Sequence, residues 1–242
     1  MTVDMRTPGD DSFAKAGTWD GAWHQHFQEY QGDFRHAYYI AAIRRRRERR
    51  VLELAAGSFR DMAALNRWGV CCEGVDFSGE SVRKAADQFP TLRDRIKQMD
   101  ARHLDYPDGA FDLTFHAGFW VYFDDAQIAE MAAEQARVSR YRMTATVHNA
   151  QHRGFQEYLA ELAQKDRFYR VRFFHPEEII ALLQPYCRRV IVLPAMTGRR
   201  LDRSIFRRHL GPTMFRAAYQ LYGRFERLET SERLLCIGEV AD

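Results

Sequence analysis

Residues 51–61 read VLELAAGSFRD, and this stretch decides the fold. It begins as a short apolar strand over 51–55, continues through the small residues Ala56 and Gly57, and becomes helical from Phe59. Small residues let the backbone approach a ligand closely, and the free amides at a helix N-terminus attract an anionic group. The order of strand, tight loop and helix therefore predicts a ligand site beyond the end of the first strand.

The same alternation of strand and helix continues along the chain. Further strands are predicted over 70–77, 96–99, 111–116, 142–148, 189–193 and 234–240, and helices over 59–68, 79–88, 124–139 and 176–183. Strands that alternate with helices at this spacing are typical of a parallel, doubly wound α/β sheet. No such unit joins the last two strands, so we expect a seven-stranded, mostly parallel sheet whose last strand is antiparallel.

Polar and small residues follow the predicted strands, where open α/β sheets bind their ligands. Asp76 ends the second strand about 20 residues past the loop, a position from which an acid accepts hydrogen bonds from a ribose. Asp100 and Ala101 follow the third strand, where they could accept from an adenine amino group and donate a backbone amide. After the fourth strand, Ala117 lies beside aromatic residues and suits a cavity floor.

Together these motifs resemble the class I S-adenosylmethionine-dependent methyltransferases. Residues 53–59 match the family's first motif, Asp76 its ribose-binding acid, and residues 100–101 its adenine-contacting pair. Residues 106–113 and 175–180 resemble the segments before its fourth strand and its last helix, so the resemblance covers about 45–195 and the last strand. Two residues depart from the pattern: Ala55 replaces the first glycine of the loop and Phe59 the third.

The resemblance implies that S-adenosylmethionine is the cofactor and S-adenosylhomocysteine the product. Glu53 would orient the loop through its backbone rather than touch the ligand. The residues expected to hold the cofactor are Glu53, Ala55, Ala56, Gly57, Asp76, Phe77, Asp100, Ala101, Ala117 and Tyr122. The expected reaction is methyl transfer to an oxygen or nitrogen of a small molecule. Two alternatives stay open: an RNA methyltransferase, and a protein that binds the cofactor without catalysis.

His148 is the first candidate for a catalytic base. In the strand order that the resemblance implies, the end of the fifth strand faces the transferred methyl group, and His148 ends that strand. The alternative is a histidine that only hydrogen-bonds a loop. The residues expected to contact the substrate are Trp23, Tyr30, His116 and Asn149.

The N-terminal region, 1–44, is interpreted as a lead-in followed by a helical lid, and 45–242 as the methyltransferase domain. A helical pattern over about 19–50 places Trp23, Phe27, Tyr30 and Phe34 in one stripe. Such a stripe either faces the core or contacts a ligand as part of a lid.

Basic residues exceed acidic ones only slightly, 36 against 33, which gives a net charge of +3. The basic run at 44–50 either forms a solvated helix end or binds phosphate. A basic, partly helical insertion over 196–231 carries interleaved aromatic residues, so it could be a scaffold edge or homodimer surface, a lid for an anionic small molecule, or an RNA-binding face. The modest net charge makes nucleic acid the less favoured partner.

Several classes of protein are excluded or disfavoured. The four cysteines form no CxxC pair, and His24 and His26 stand two apart on a predicted helix, so we expect no metal site. A dehydrogenase loop would need a glycine where Arg60 stands. The first residues lack the apolar core of a signal peptide, and no apolar run reaches the roughly 20 residues that span a bilayer, so we expect a cytoplasmic protein with no membrane partner.

Overall fold

The computed structural model describes residues 11–196, 211–222 and 227–241. Its centre is a seven-stranded sheet with the order β3-β2-β1-β4-β5-β7-β6. The strands are β1 (Arg50–Leu54), β2 (Cys71–Asp76), β3 (Ile96–Gln98), β4 (Phe111–Ala117), β5 (Ser139–His148), β6 (Cys187–Ala195) and β7 (Arg233–Val240). The first five strands run parallel, and β7 is antiparallel to both β5 and β6. The predicted sheet, including its antiparallel last strand, is confirmed.

Eight α-helices lie in the described part of the chain. They are α1 (Ala16–His26), α2 (Arg35–Ile43), α3 (Arg60–Arg67), α4 (Gly79–Gln88), α5 (Asp125–Val138), α6 (Arg153–Ala163), α7 (Pro176–Leu183) and α8 (Pro212–Tyr222). Helices α4 and α7 have the predicted bounds. The sequence analysis did not predict α6, which begins where the side chain of His152 accepts the N–H of Phe155 at 3.0 Å.

The helices cover both faces of the sheet and bury it between two layers. On one face, Val51 and Leu113 pack with Leu65 of α3 and Ile40 of α2. On the other face, Met143 packs with residues of α5 and α7, among them Ile128 and Ile179. All the side chains named are at most 1% exposed. The polar ends of the parallel strands are thus left at one edge, between the two layers.

The N-terminal aromatic stripe does not lie on a single helix, so that prediction is wrong. Helix α1 ends at His26, a 3₁₀ turn covers Glu29–Gly32, and α2 begins only at Arg35. The break falls at Gly32 and Asp33, where the carboxylate of Asp33 accepts two hydrogen bonds from the guanidinium of Arg35, each 2.8 Å long. Phe27 is consequently fully buried, whereas Tyr30 is 40% exposed.

The basic run at 44–50 lies at the amino ends of the strands, on the edge of the sheet away from the loop after β1. Arg45 pairs with Glu239 at 2.5 Å, and Arg47 stacks over the ring of Tyr141 at 4.4 Å. Within the run, the buried Glu48 forms an ion pair with Arg142 of β5. These contacts tie the start of β1 to the sheet, as a structural segment does.

Part of the basic insertion lies outside the described residues, namely 197–210 and 223–226. The described helix α8 packs on α2, with the ring of Phe215 at 5.1 Å from that of Tyr39. The hydroxyl of Tyr219 donates to the carbonyl of Pro194 at 2.9 Å. This part of the insertion therefore buttresses the scaffold. None of the described helices is both long enough and apolar enough to cross a membrane.

Candidate functional site

The loop after β1 keeps a glycine-like backbone although it has lost two glycines. Ala55, Gly57 and Phe59 all have positive φ, at 48°, 55° and 55°. Such a conformation costs a residue with a side chain about 1–2 kcal/mol. The departures from the glycine pattern noted in the sequence therefore leave the loop geometry in place, at a cost that neighbouring contacts must offset.

The packing of the Phe59 ring against Gly74 of β2 offsets part of this cost. A Cβ built on Gly74 would lie 2.8 Å from Cδ1 of Phe59, which is closer than Cβ atoms come to neighbouring atoms. The ring of Phe59 therefore occupies the space that a side chain at position 74 would take, and it is completely buried. The large residue in the loop and the missing side chain on the strand form one packing unit.

Two buried carboxylates hold the loop and the helix after it. Glu53 accepts the N–H of Met62 at 2.8 Å, which fixes the first turn of α3 from below. Asp76 accepts the N–H of Gly57 at 2.7 Å with one oxygen and that of Ser78 at 2.8 Å with the other. Burial raises the pKa of Asp76 to about 6, against these two hydrogen bonds, which favour the carboxylate. Burial, and then the nearby Asp61, raise the pKa of Glu53 as well.

A third carboxylate, that of Asp100, follows β3 and is partly exposed to solvent. Burial acts to raise the pKa of Asp100, but the hydrogen bonds from Arg102 outweigh it and the pKa is lowered. The guanidinium of Arg102 grips both oxygens, the shorter contact measuring 2.6 Å. Asp100 is therefore a fixed anion at the edge of the site.

These residues meet at one cavity with a volume of about 280 Å³. It lies at the carboxyl edge of the parallel strands, where the first, second, third and fourth of them end. Every residue that the sequence analysis assigned to the cofactor lines it: Glu53, Ala55, Ala56, Gly57, Asp76, Phe77, Asp100, Ala101, Ala117 and Tyr122.

The donors and acceptors on this wall fit an S-adenosyl group. A carboxylate offers about four lone-pair positions, and the backbone amides around Asp76 do not fill all of them, which leaves room for a hydrogen bond from a ribose hydroxyl. Asp100 can accept from an adenine amino group, and Phe77 and Met99 provide apolar flanks on the same wall.

The N-terminal segment closes the other side of the cavity. Trp23 of α1 lies so close to the loop that a Cβ on Gly57 would come within 2.3 Å of its ring. Tyr30 packs edge-on against Trp23 at 5.5 Å, and its backbone carbonyl accepts Nη1 of Arg60 at 2.7 Å. Both aromatic residues line the cavity, so the structure places these two predicted substrate residues where a lid over the loop would be.

A second aromatic group extends the lid away from the loop. The rings of Phe13, Trp19, Tyr122 and Phe168 lie 4.9–5.7 Å apart, in tilted and edge-on contacts. The hydroxyl of Tyr122 donates to the carbonyl of Phe168 at 3.1 Å. The sequence did not identify Phe13, Trp19 and Phe168 as site residues. Their rings come together only because the chain between α6 and β6 lies against the N-terminal segment.

The predicted polar substrate residues have different positions. His148 lines the cavity, and its ring lies 5.4 Å from those of Phe155 and Phe173. Nδ1 of His148 finds no hydrogen-bond partner among the described residues. His116 does not line the cavity: it is buried beside Trp120 at 4.5 Å, and burial lowers its pKa to about 3. The structure therefore does not bring the predicted substrate residue His116 into this site.

Asn149 also points away from the cavity. Its Nδ2 donates to the carbonyl of Ser231 at 2.8 Å, and its Oδ1 accepts the N–H of Gln151 at 3.0 Å. Asn149 is fully buried and does not line the cavity, so it ties the end of β5 to the segment before β7. The sequence placed it at the strand end but could not show which way its amide points.

Several further polar residues line the cavity and were missed from the sequence, among them Arg233 and His36. Arg233 is the first residue of β7, and His36 lies in the first turn of α2. Neither belongs to a recognisable motif, and the only signal was a charged residue at the start of an apolar strand. Among the described residues, no group of three or more histidine, cysteine, aspartate or glutamate side chains could hold a metal ion.

Comparisons with known proteins agree with this geometry. The model of a family described as a methyltransferase domain matches residues 51–141, which span β1 to the start of β5. No curated protein matches the sequence.

Solved structures match over most of the chain. A possible histamine N-methyltransferase from Thermotoga maritima is 14% identical, with a TM-score of 0.60, over 90% of this chain and 94% of its own. A putative methyltransferase of Haloferax volcanii, solved with the activator Trm112, is 17% identical, with a TM-score of 0.60, over 93% and 98%.

A third structure carries the product of the cofactor. Geranyl diphosphate C-methyltransferase from Streptomyces coelicolor A3(2), solved with Mg²⁺, a substrate analogue and S-adenosylhomocysteine, is 13% identical, with a TM-score of 0.55, over 85% of this chain and 75% of its own. At these identities the structures establish the fold, and the sequence family covers β1 to the start of β5, which carry the residues expected to hold the cofactor.

Proposed function

We propose that this chain, whose residues 51–141 match a methyltransferase-domain family, is a class I S-adenosylmethionine-dependent methyltransferase that methylates an oxygen or nitrogen of a small molecule bound in the lidded cavity. The observation that carries the proposal is the composition of this one cavity. The residues assigned to the cofactor, the aromatic residues of the N-terminal segment and His148 all line it.

When bound, S-adenosylmethionine supplies a methyl group that is already activated by its sulfonium. The protein then needs mainly to hold the reactants in line and to exclude water, which is worth up to roughly 10 kcal/mol. In this proposal Asp76 and Asp100 hold the cofactor from the β2 and β3 side. Trp23 and Tyr30 cover the site and keep solvent from it.

His148 is the proposed general base. Its ring reaches the cavity wall at the end of β5, and none of the described residues pairs with Nδ1. A neutral imidazole at this place can take the proton that the nucleophilic oxygen or nitrogen of the acceptor loses. Such a base contributes about 10²–10⁴-fold to a rate.

The surroundings of the site favour a small acceptor over RNA. The basic run at 44–50 lies at the opposite edge of the sheet, and Arg45 and Arg47 in it are engaged by Glu239 and Tyr141. The aromatic residues that line the cavity form a wall suited to an apolar molecule of limited size.

A methyl-transfer assay tests the proposal. The purified chain is incubated with methyl-labelled S-adenosylmethionine and either a pool of small hydroxyl and amine compounds or total RNA. We expect label in a small compound and none in RNA. Label in RNA, at a level that falls steeply with salt, would contradict the small-molecule acceptor. Cofactor binding without label in either pool would instead indicate a binding protein without catalysis.

A further inference from the structure

Arg233 is a half-buried cation, and two of its guanidinium nitrogens lack a hydrogen-bond partner among the described residues. Nε and Nη1 of its guanidinium are inaccessible to solvent, and no described residue accepts a hydrogen bond from either. The guanidinium lies over the ring of Phe155 at 5.0 Å and lines the cavity. Arginine is normally buried only when its donors are satisfied, because an isolated buried charge is costly.

Asp33, a carboxylate whose charge acts on Arg233, does not relieve this charge. Asp33 lies close enough to influence Arg233, but both of its oxygens are held by Arg35 at 2.8 Å. Burial, and then the charge of Arg35, lower the pKa of Arg233 to about 9, against smaller opposing effects of Tyr122, Asp33 and Tyr30. The protein surroundings of Arg233 therefore disfavour its positive charge. This is typical of a site in which the bound ligand supplies the counter-ion.

His36 adds a second unsatisfied group on the same cavity. Neither of its ring nitrogens has a hydrogen-bond partner in the described part of the chain, and Oδ2 of Asp61 is 3.9 Å away, beyond hydrogen-bond distance. Burial, and then the charges of Arg233 and Arg60, lower the pKa of His36, so its ring is neutral and offers one N–H donor.

The position of Arg233 assigns it to the acceptor rather than to the cofactor. Arg233 begins β7, which lies three strands away from β1 in the sheet order. At about 4.8 Å per strand, the backbone of β7 lies about 14 Å from that of β1. In the register of the sheet it is paired with His148, the proposed base.

We propose that the methyl acceptor carries an oxyanion, a carboxylate or a phosphate, that is bound by Arg233 with His36 as a second donor. This inference rests on the proposed function and names the substrate class of the same site. The planar guanidinium matches the geometry of either oxyanion, with two parallel N–H donors. Phe168 and Tyr169, which line the same cavity, would hold the flat, apolar body of such a compound.

Binding of three simple probes tests the inference. Benzoate, phenyl phosphate and the neutral benzamide are titrated into the protein in the presence of S-adenosylhomocysteine, and binding is followed by ligand-observed NMR. We expect at least one of the two anions to bind at least tenfold more tightly than benzamide. Tight binding of benzoate alone would indicate that the acceptor carries a carboxylate. Tight binding of phenyl phosphate alone would indicate that it carries a phosphate. Equal binding of all three probes, or of none, would overturn the inference.

Variants then assign the effect to Arg233. Arg233→Met should weaken binding of the favoured anion at least tenfold and leave benzamide unchanged. Arg93→Met removes the same charge from an exposed position and should change neither. Should Arg233→Met fail to fold, Arg233→Lys keeps the charge without the planar fork and should still weaken the anion. Undiminished anion binding in the folded variant would contradict the assignment.

The cofactor provides the control that separates this inference from the proposed function. S-adenosylhomocysteine should bind the parent protein and Arg233→Met with the same affinity. A folded Arg233→Met that loses S-adenosylhomocysteine would show that Arg233 serves the cofactor, which would overturn the inference alone. Failure of the parent protein to bind S-adenosylhomocysteine would instead count against the proposed function.

Discussion

Arg233, the first residue of β7, is paired in register with His148, the last residue of β5. The two strands are antiparallel, so this pairing brings the end of one and the start of the other to the same edge of the sheet. Both side chains line the cavity. The proposed base and the proposed anion-binding group are thus held next to each other by backbone hydrogen bonds between two neighbouring strands, which are among the more rigid supports that a fold offers.

Replacing His148 should separate catalysis from cofactor binding. We expect His148→Gln to lower the rate of methyl transfer by about 10²–10⁴-fold, because the proton of the acceptor loses its base. The affinity for S-adenosylhomocysteine, measured by calorimetric titration, should stay the same. His175→Gln is the matched control, since that histidine is exposed at the start of α7. Full activity of His148→Gln would remove His148 from the reaction.

Asp76 should make cofactor binding depend on pH. The folded chain retains the proton on Asp76 up to about pH 6, whereas the ordinary pKa is 3.8. Ribose hydroxyls donate to the ionised form, so the affinity for S-adenosylhomocysteine should rise between pH 5 and pH 7 as the proton leaves. Asp76→Asn should bind at least tenfold more weakly and lose this part of the pH dependence. Asp108→Asn, at an exposed aspartate, should retain it.

Ionisation of Asp76, which should strengthen cofactor binding, should lower the free energy of unfolding. Its pKa is raised on folding, so the folded chain binds the proton more tightly, and the ionised group costs stability as the pH rises from about 4 to 6. We therefore expect the difference in free energy of unfolding between the parent and Asp76→Asn to shift in favour of the variant over that range. Chemical denaturation at several pH values measures it, and a shift in favour of the parent would contradict the raised pKa.

Gly57 should be sensitive for two separable reasons. Its φ of +55° disfavours any side chain, and a Cβ there would meet the ring of Trp23. Gly69 has a φ of +79° with no atom within 4 Å of an added Cβ, so Gly69→Ala carries the backbone cost alone, about 1–2 kcal/mol. Gly57→Ala should be more destabilising than Gly69→Ala in chemical denaturation and should weaken S-adenosylhomocysteine binding. Equal losses of stability in the two variants would show that the ring of Trp23 moves aside without an energetic cost.

The packing of Phe59 against Gly74 should be intolerant of one added methyl group. Gly74→Ala should lower the free energy of unfolding by about 1–3 kcal/mol through overpacking. Gly21→Ala, in α1 with open space around the added Cβ, should be neutral or stabilising because alanine favours a helix. In Phe59→Leu the smaller side chain should reduce the cost of Gly74→Ala, and a strictly additive double variant would contradict the pairing.

Arg233 should cost stability in the absence of a ligand. Replacing a half-buried cation whose inaccessible donors are unsatisfied by an apolar side chain of similar length often stabilises a protein, so Arg233→Met should raise the thermal midpoint of the ligand-free chain. Arg93→Met should leave it unchanged. A lower midpoint in Arg233→Met would show that the guanidinium is satisfied in the folded chain.

The sequence was most informative where a residue acts locally along the chain. The loop at 51–61 and Asp76 could be located because strand, loop and helix follow one another, and the acid lies a fixed distance further on. The same reasoning was wrong for the N-terminal aromatic residues, since Gly32 and Asp33 divide a stripe that looks continuous into α1 and α2. It also could not orient His116 and Asn149, because a strand end does not show which way a side chain points.

The sequence by itself determined the alternation of strands and helices, the antiparallel last strand and which residues at the ends of β1 to β4 line the cavity, since each depends on hydrophobic periodicity or on neighbours within one strand-to-helix unit. Only the tertiary structure decided that Phe59 fills the space left by Gly74, that Trp23 lies over Gly57, and that Arg233 meets His148. These pairs are joined by packing and strand register, which bring together residues that are 15, 34 and 85 positions apart in the chain. No local pattern of residues specifies such contacts, because they form only when the strands pair and the helices pack against the sheet.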